Sequence, residues 1–335
     1  MPVRSSSSTP PTAGALTPAA GGDPRRRDAT IWASEGVPGD LDPVVAEAWC
    51  RRVAARHYEN FTVASRLVPP RLRQDLANVY TYARWSDDIV DEATSPAAAA
   101  EALADWRRRL EACFAGRPDH PLFVALAGTV ERTGLEIVPF ADLLDAFAED
   151  QANDARGRTV RYQTRDELVD YCRRSADPVG RIVLGLEGCR EPRLVAMSDQ
   201  ICTALQLVNF WQDVRRDRIA GRVYLPADDM ARHGVDESVL DGERGTAAYR
   251  ALIRDEVGWA RLLFDAGASL PHQAPASLRV AIGMFLAGGR AVAEAITAVG
   301  HDTLAVRPTL SRWRKAGLAG RAAIAVARAT LAGWR

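Results

Sequence analysis

Residues 205–217, LQLVNFWQDVRRD, carry two patterns at once. Leu205, Leu207, Val208, Phe210, Trp211 and Val214 supply the apolar wall of a helix packed on a core. Asn209, Asp213 and Asp217 stand at i, i+4 and i+8, so their oxygens form a stripe that drifts only about 80° over two turns. Hard oxygen donors in such a row suit Mg2+, which typically takes a few carboxylates and completes its shell with phosphate oxygens. The plain alternative is a polar stripe in which Asp213 and Asp217 pair with Arg215, Arg216 or Arg218.

Outward from this helix the chain reads as one helix after another. Pro192 opens the acidic helix itself, and the stretch from Arg218 to Pro226 reads as a loop after it. Asp42-Pro43, Pro69-Pro70 and Ser95-Pro96 are helix starts, each with proline where a missing amide costs nothing, and Gly116 can close the helix begun at Pro96. Thr164 and Glu167 have capping-box spacing, and Pro178 must kink or break the helix they open. Further helices are expected over about 246–270 and 276–299, with a last one after Pro308. The polar segment 150–163 is expected to be a loop. With almost no alternating stretch, the expected fold is all-α: a single large helical bundle over residues 42–335 with a central active-site cavity.

A second acidic group lies in YTYARWSDDIVDE, residues 80–92. Asp87 and Asp91 are one turn apart on one face, where two carboxylates repel each other by a few tenths of a kcal/mol. Solvent exposure or a cation explains such a pair, and Tyr80, Ala83, Ile89 and Val90 leave little room for a wholly solvated face. Two acidic helices facing each other would make a clamp for a diphosphate.

Composition removes competitors. Acidic and basic residues, 43 of each, cancel to a formal net charge of +0, so no global field draws the chain to nucleic acid. There is no GxGxxG, no GxxxxGK[ST], no HExxH and no GxSxG. The histidines, His57, His120, His233, His272 and His301, are scattered without metal-ligand spacing and read as surface or capping residues. The five cysteines include no CxxC and sit in apolar helical patterns, so they are expected to be reduced thiols in a cytoplasmic protein. Residues 1–41, rich in Ser, Pro, Ala and Gly, are expected to be a disordered tail; Arg25-Arg26-Arg27 within it reads as a solvated basic run, with lipid or RNA contact as the functional alternative. No run of about 18 apolar residues occurs, so membrane contact is expected to be at most peripheral.

HYENF (57–61), YTYARWSDDIVDE (80–92), YCRRSADPVG (171–180) and QLVNFWQDVRRDRIAGRVYLP (206–226) together resemble the trans-isoprenyl diphosphate head-to-head synthases, the squalene and phytoene synthase family, over about residues 45–320. The resemblance implies an isoprenoid synthase fold. It assigns Mg2+ to Asp87 and Asp91 and to Asn209, Asp213 and Asp217. It makes Arg84 and Arg307 diphosphate ligands, places Tyr80, Gln206 and Tyr224 in the active-site lining, and puts Ala176, Val179 and Gly180 along a prenyl-chain tunnel. Outside that carry-over, His57, Asn60 and Tyr171 are further substrate-binding candidates, with Asn60, Tyr80 and Tyr171 as candidates for holding a water. Asn60, where relatives often have Ser, and Arg290, where some have Tyr, depart from the pattern, and the resemblance carries no function onto either. SADPVG and NFWQDV with GRVYLP look most like bacterial hydroxysqualene synthase. That enzyme's expected reaction takes presqualene diphosphate and water to hydroxysqualene, with Mg2+ and without NADPH, beside sequential pathway enzymes. The alternatives are condensation of two prenyl diphosphates to a presqualene-, squalene- or phytoene-type product and, from another class, a non-catalytic helical binding protein.

Overall fold

In a computed structural model of the chain, residues 37–57, 67–92, 95–155 and 160–331 are described; apart from 37–41, the expected tail lies outside them. The described residues fall within one compact unit. Helix starts are set by side chains that accept from amides the helix leaves unpaired. α1 (Pro43–His57) begins where the Asp42 carboxylate accepts from the Val44 and Val45 amides at 2.8 and 3.1 Å. α2 (Pro70–Glu92) begins on the proline pair, and α3 (Pro96–Phe114) is capped by Ser95 Oγ, which accepts from the Ala98 amide at 3.2 Å. α4 (Pro121–Thr133) takes His120 as its cap: Nδ1 accepts from the Leu122 amide, and burial pushes the imidazole pKa down to about 4.

α5 (Val138–Ala155) corrects the loop expected from residue 150. DQANDA holds no breaker before Gly157, and Gln151 Nε2 donates to the Pro96 carbonyl at 2.9 Å, tying this end of α5 to the start of α3. β1 (Val160–Arg161) then pairs in parallel with β2 (Arg222–Val223), Val160 opposite Arg222. The expected loop 218–226 is thus partly ordered, but a two-residue ladder adds no layer and the architecture is all-α.

α6 (Arg165–Ser175) is capped by Thr164 Oγ1, which accepts from the Glu167 amide at 3.2 Å. Glu167 reaches back to the amide of Gln163, one residue before the cap, at 2.6 Å. α7 (Asp177–Gly185) follows after a break at Ala176, φ −122° and ψ −50°, because Pro178 offers no amide and its ring would strike the carbonyl four residues earlier. α8 (Pro192–Ile219), α9 (Ala227–Arg232), a 3-10 turn (Glu237–Asp241), α10 (Ala247–Ala266), α11 (Leu270–Gln273), α12 (Arg279–Ala298) and α13 (Arg312–Leu331) complete the chain.

Two packed groups result. α2 packs on α1, α3, α4 and α5 over an aromatic core of Trp49, Trp85, Trp106, Tyr82, Phe123 and Phe140. Its register is fixed by Tyr82, whose hydroxyl donates to the Phe140 carbonyl at 2.9 Å, and by Ser86, whose Oγ accepts from Trp106 Nε1 at 2.9 Å. α8 packs on α6, α7, α10 and α12, burying Leu207 and Trp211 completely. α5 joins the groups, contacting α2 and α3 as well as α6 and α7.

At Gly289 of α12 a Cβ would overlap Phe264 of α10 and Leu205 of α8, so glycine lets these three helices close on one another. α12 is long and apolar enough to cross a membrane by length and composition. It packs on α8, α10, α11 and α13 with Ile282, Leu286, Gly289 and Ile296 buried, the disposition of a core helix. All five cysteines are free, and Cys50, Cys113 and Cys172 are buried.

Candidate active site

The last three turns of α8 present the second acidic stripe. Because Leu207, Val208, Phe210, Trp211 and Val214 take the buried face, Asn209 is exposed and Asp213 and Asp217 emerge at its edge. A helix C-terminus already carries partial negative charge on its unpaired carbonyls, so carboxylates there deepen a field that attracts cations. Asp213 is held by an arginine from far along the chain: Arg307 Nε reaches Oδ1 at 2.5 Å and Nη2 reaches Oδ2 at 2.9 Å. That hydrogen bond, with the charges of Asp213 and Asp217, strengthens the hold of Arg307 on its proton. Of the helix's own arginines, Arg216 reaches Asp213 at 3.5 Å, whereas Arg218 turns to Asp241 at 2.7 Å and Arg215 to the Leu304 carbonyl at 3.2 Å. Asp217 borders a small cleft with Trp211, Val214, Arg222 and Tyr224.

On α2, Asp87 is partly exposed with Arg84 Nη1 3.6 Å from its Oδ2. Arg84 is held mainly by Asp88, through Nε to Oδ2 at 3.0 Å and Nη2 to Oδ1 at 2.6 Å. Asp88 is buried and did not stand out in the acidic run; its i,i+4 relation to Arg84 was the available signal. Tyr80, half-buried, stands one turn before Arg84. Asp91 follows one turn after Asp87 in α2 and His57 ends α1, but their side chains, and Asn60 entirely, lie outside the described residues.

Between α5, α6 and α8 lies an aromatic cluster. Tyr224 stacks on Phe210 with ring centroids 3.7 Å apart and 8° between planes. Tyr162 lies 5.9 Å from Tyr224, and Tyr171 packs beside them. The buried Tyr171 hydroxyl donates to Asp150 Oδ2 at 2.9 Å. Burial first, then the Asp150 charge, raises its pKa well above the usual phenol value, so it remains a neutral donor. Tyr171 and Tyr224 are therefore brought together with the acidic helix; Asp150 and Tyr162 were missed because segment 150–163 read as loop. Gln206, half-buried, lies on α8 one turn before Phe210.

Around the α6–α7 break, Ala176 is buried and Val179 is 49% exposed. Gly180 faces α8 rather than open space: a Cβ there would meet Ser198 and lie 2.7 Å from Cys202 Sγ, so its small size serves helix contact. Asp177, missed by the sequence reading, is buried at the start of α7 and accepts from Thr203 Oγ1 at 2.8 Å. Burial, with Asp199 adding to it, pushes its pKa up to about 7. Arg290, where some relatives have Tyr, pairs with Asp265.

The two acidic helices are not a closely packed pair; α2 meets α5, α5 meets α6 and α7, and these meet α8. Among the described residues no three carboxylate, imidazole or thiolate groups gather tightly enough to hold an ion alone. Each stripe is instead a half-site of oxygen donors with an arginine beside it. Such donors fit a hard cation whose remaining ligands come from a bound anion.

The sequence model of the squalene/phytoene synthase family matches residues 54–314. The chain is 30% identical over 282 residues to a phytoene synthase from Arthrospira platensis, covering 79% of this chain and 88% of that one. It is 34% identical over 235 residues to a 15-cis-phytoene synthase from Synechocystis, 66% and 68% of the two chains. Among solved structures it is similar to the squalene synthase HpnC from Alicyclobacillus acidocaldarius, with TM-score 0.73 and 37% identity over 78% of this chain and 97% of that one. A dehydrosqualene synthase crystallised with ligand shares the fold, with TM-score 0.72 at 24% identity over 84% of this chain and 98% of that one. The all-helical bundle and the matched sequence together establish that the chain belongs to the squalene/phytoene synthase family, isoprenoid synthases that act on prenyl diphosphates.

Proposed function

We propose that this enzyme is a hydroxysqualene synthase: it ionises presqualene diphosphate, lets the C30 cation rearrange and captures it with water, giving hydroxysqualene, diphosphate and a proton. The observation that carries the reading is the pairing of each acidic stripe with an arginine, Asp213 with Arg307 and Asp87 with Arg84. Mg2+ held through Asp87, Asp91, Asn209, Asp213 and Asp217 would neutralise charge on the departing diphosphate. Arg84 and Arg307 then bind the diphosphate oxygens, as a planar guanidinium fork suits them. Tyr80, Gln206 and Tyr224 line the hydrocarbon cavity with the apolar face of α8, and a dry wall protects the cation from early capture. Tyr171, its hydroxyl oriented by Asp150, is a candidate to hold the capturing water, with Asn60 and Tyr80. No reductant is needed, because water and not hydride ends the reaction. The higher identity to a squalene synthase, 37%, with the SADPVG and NFWQDV motifs, supports this member of the family.

A second reading, condensation of two prenyl diphosphates, is favoured by the phytoene synthase relatives at 30–34% identity. Product analysis by mass spectrometry separates the two. Pure protein with Mg2+ should convert presqualene diphosphate to hydroxysqualene with or without NADPH. Turnover of farnesyl or geranylgeranyl diphosphate instead, with presqualene diphosphate left untouched, would overturn the first reading. A cytoplasmic enzyme working at a membrane surface suits a substrate with a C30 chain, and that setting is part of the proposal.

A further inference from the structure

α13 is unlike every other described helix in charge. Arg312–Leu331 contains Arg312, Arg314, Lys315, Arg321 and Arg328 and no acidic residue, in a protein whose formal net charge is +0. Among the described elements it packs mainly on α12. Trp313, Gly317, Gly320, Ile324 and Ala327 are all exposed, Trp313 by 82% and Ile324 by 57%. At 100° per residue these five fall within about 40° of Trp313, in one apolar stripe along the helix. Arg314, Arg321 and Arg328, seven residues apart and also exposed, run in a parallel row at about 60–100° to that stripe. Arg314 is fixed by an ion pair with Glu294 of α12, so the row is anchored at its first member.

An exposed tryptophan and isoleucine in line, bordered by arginines on a helix with no carboxylate of its own, is the arrangement of a helix that lies in a lipid interface, its apolar side among acyl chains and its cations among anionic headgroups. We infer that the exposed face of α13 docks the enzyme on anionic lipid bilayers, with the stripe from Trp313 to Ala327 inserted and Arg321 and Arg328 on the headgroups. The positive charge of α13, with Arg321 and Arg328 exposed beyond the Arg314–Glu294 pair, selects this occupant over a second copy of the chain, whose α13 would bring the same charge. The inference stands on exposure and charge and does not depend on which prenyl diphosphate the enzyme uses.

Vesicle flotation of the full-length protein tests it. Vesicles of phosphatidylcholine with about a third phosphatidylglycerol should carry the enzyme up the gradient, and phosphatidylcholine alone should carry much less. The double variant R321E/R328E should bind the anionic vesicles roughly tenfold or more weakly. Its turnover of detergent-dispersed substrate and its circular dichroism should be unchanged. Brominated phosphatidylcholine in the anionic vesicles should quench part of the tryptophan fluorescence of the parent protein, and W313F should lose that part. Equal flotation on neutral and anionic vesicles, parent-like flotation of the double variant, or unaltered quenching in W313F would each overturn the docking face. So would a micromolar dimer that R321E/R328E dissolves, since the face would then be a self-contact.

Discussion

Asp213 and Arg307 lie 94 positions apart in the chain and share two hydrogen bonds, so the carboxylate that a divalent ion would take already has a cationic tenant. Asp213→Asn and Asp87→Asn should each lower pyrophosphate release by at least about a hundredfold, because charge stabilisation of the leaving group is lost. Far-ultraviolet circular dichroism should stay unchanged, since both side chains are on the solvent edge of their helices. Arg307→Gln should separate two roles in a Mg2+ titration at saturating substrate: turnover falls, while half-maximal activity is reached at lower Mg2+ because the competitor for Asp213 is gone. An unchanged midpoint would show that the fork does not compete with the ion. The helix faces that carry Asp87, Asp213 and Asp217 were legible because i,i+4 spacing is a local property of sequence. Asp150 and Asp177 were not, since each is defined by a distant partner, Tyr171 at 21 positions and Thr203 at 26.

Helix starts were legible for a related reason: Asp42, Ser95, Thr164 and Thr246 all accept from amides two or three residues on, so the signal and the contact lie in one short window. Thr164→Ala should cost about 1 kcal/mol, read in a denaturant titration. The continuation of α5 into DQANDA was hidden because its stabilising contact, Gln151 to the Pro96 carbonyl, comes from another helix. Glycines within one helix divide in the same way. In α12, Gly289→Ala should destabilise by about 1–3 kcal/mol through overlap with Phe264 and Leu205. Gly283→Ala, where a Cβ would meet only Pro271 at 3.9 Å, should stabilise by about 0.5–1 kcal/mol, giving thermal midpoints that move in opposite directions.

For the whole molecule, two buried acids contribute to the response to pH. Asp177 and Glu256 are both buried and both raised to about 7, chiefly by loss of hydration. In the unfolded chain each ionises near its ordinary value, so between about pH 4 and pH 7 these two carboxyls hold more protons in the folded state and their contribution to stability falls as pH rises, while the depressed His120 acts in the opposite direction below about pH 6.5. Asp177→Asn removes one such group while leaving an acceptor for Thr203. The variant's thermal midpoint relative to the parent should therefore become more favourable from pH 5 to pH 8, and a constant difference would refute the assignment. The placement of α5 has a consequence for how such an enzyme diversifies. Phe140, Leu143, Leu144 and Ala146 are the buried face of the helix that spans the two acidic halves. A change of one methylene there would alter the spacing between the halves while leaving every one of their carboxylates in place. Selection can thus retune which diphosphate fits by repacking a spacer, and relatives with identical acidic motifs need not share a product.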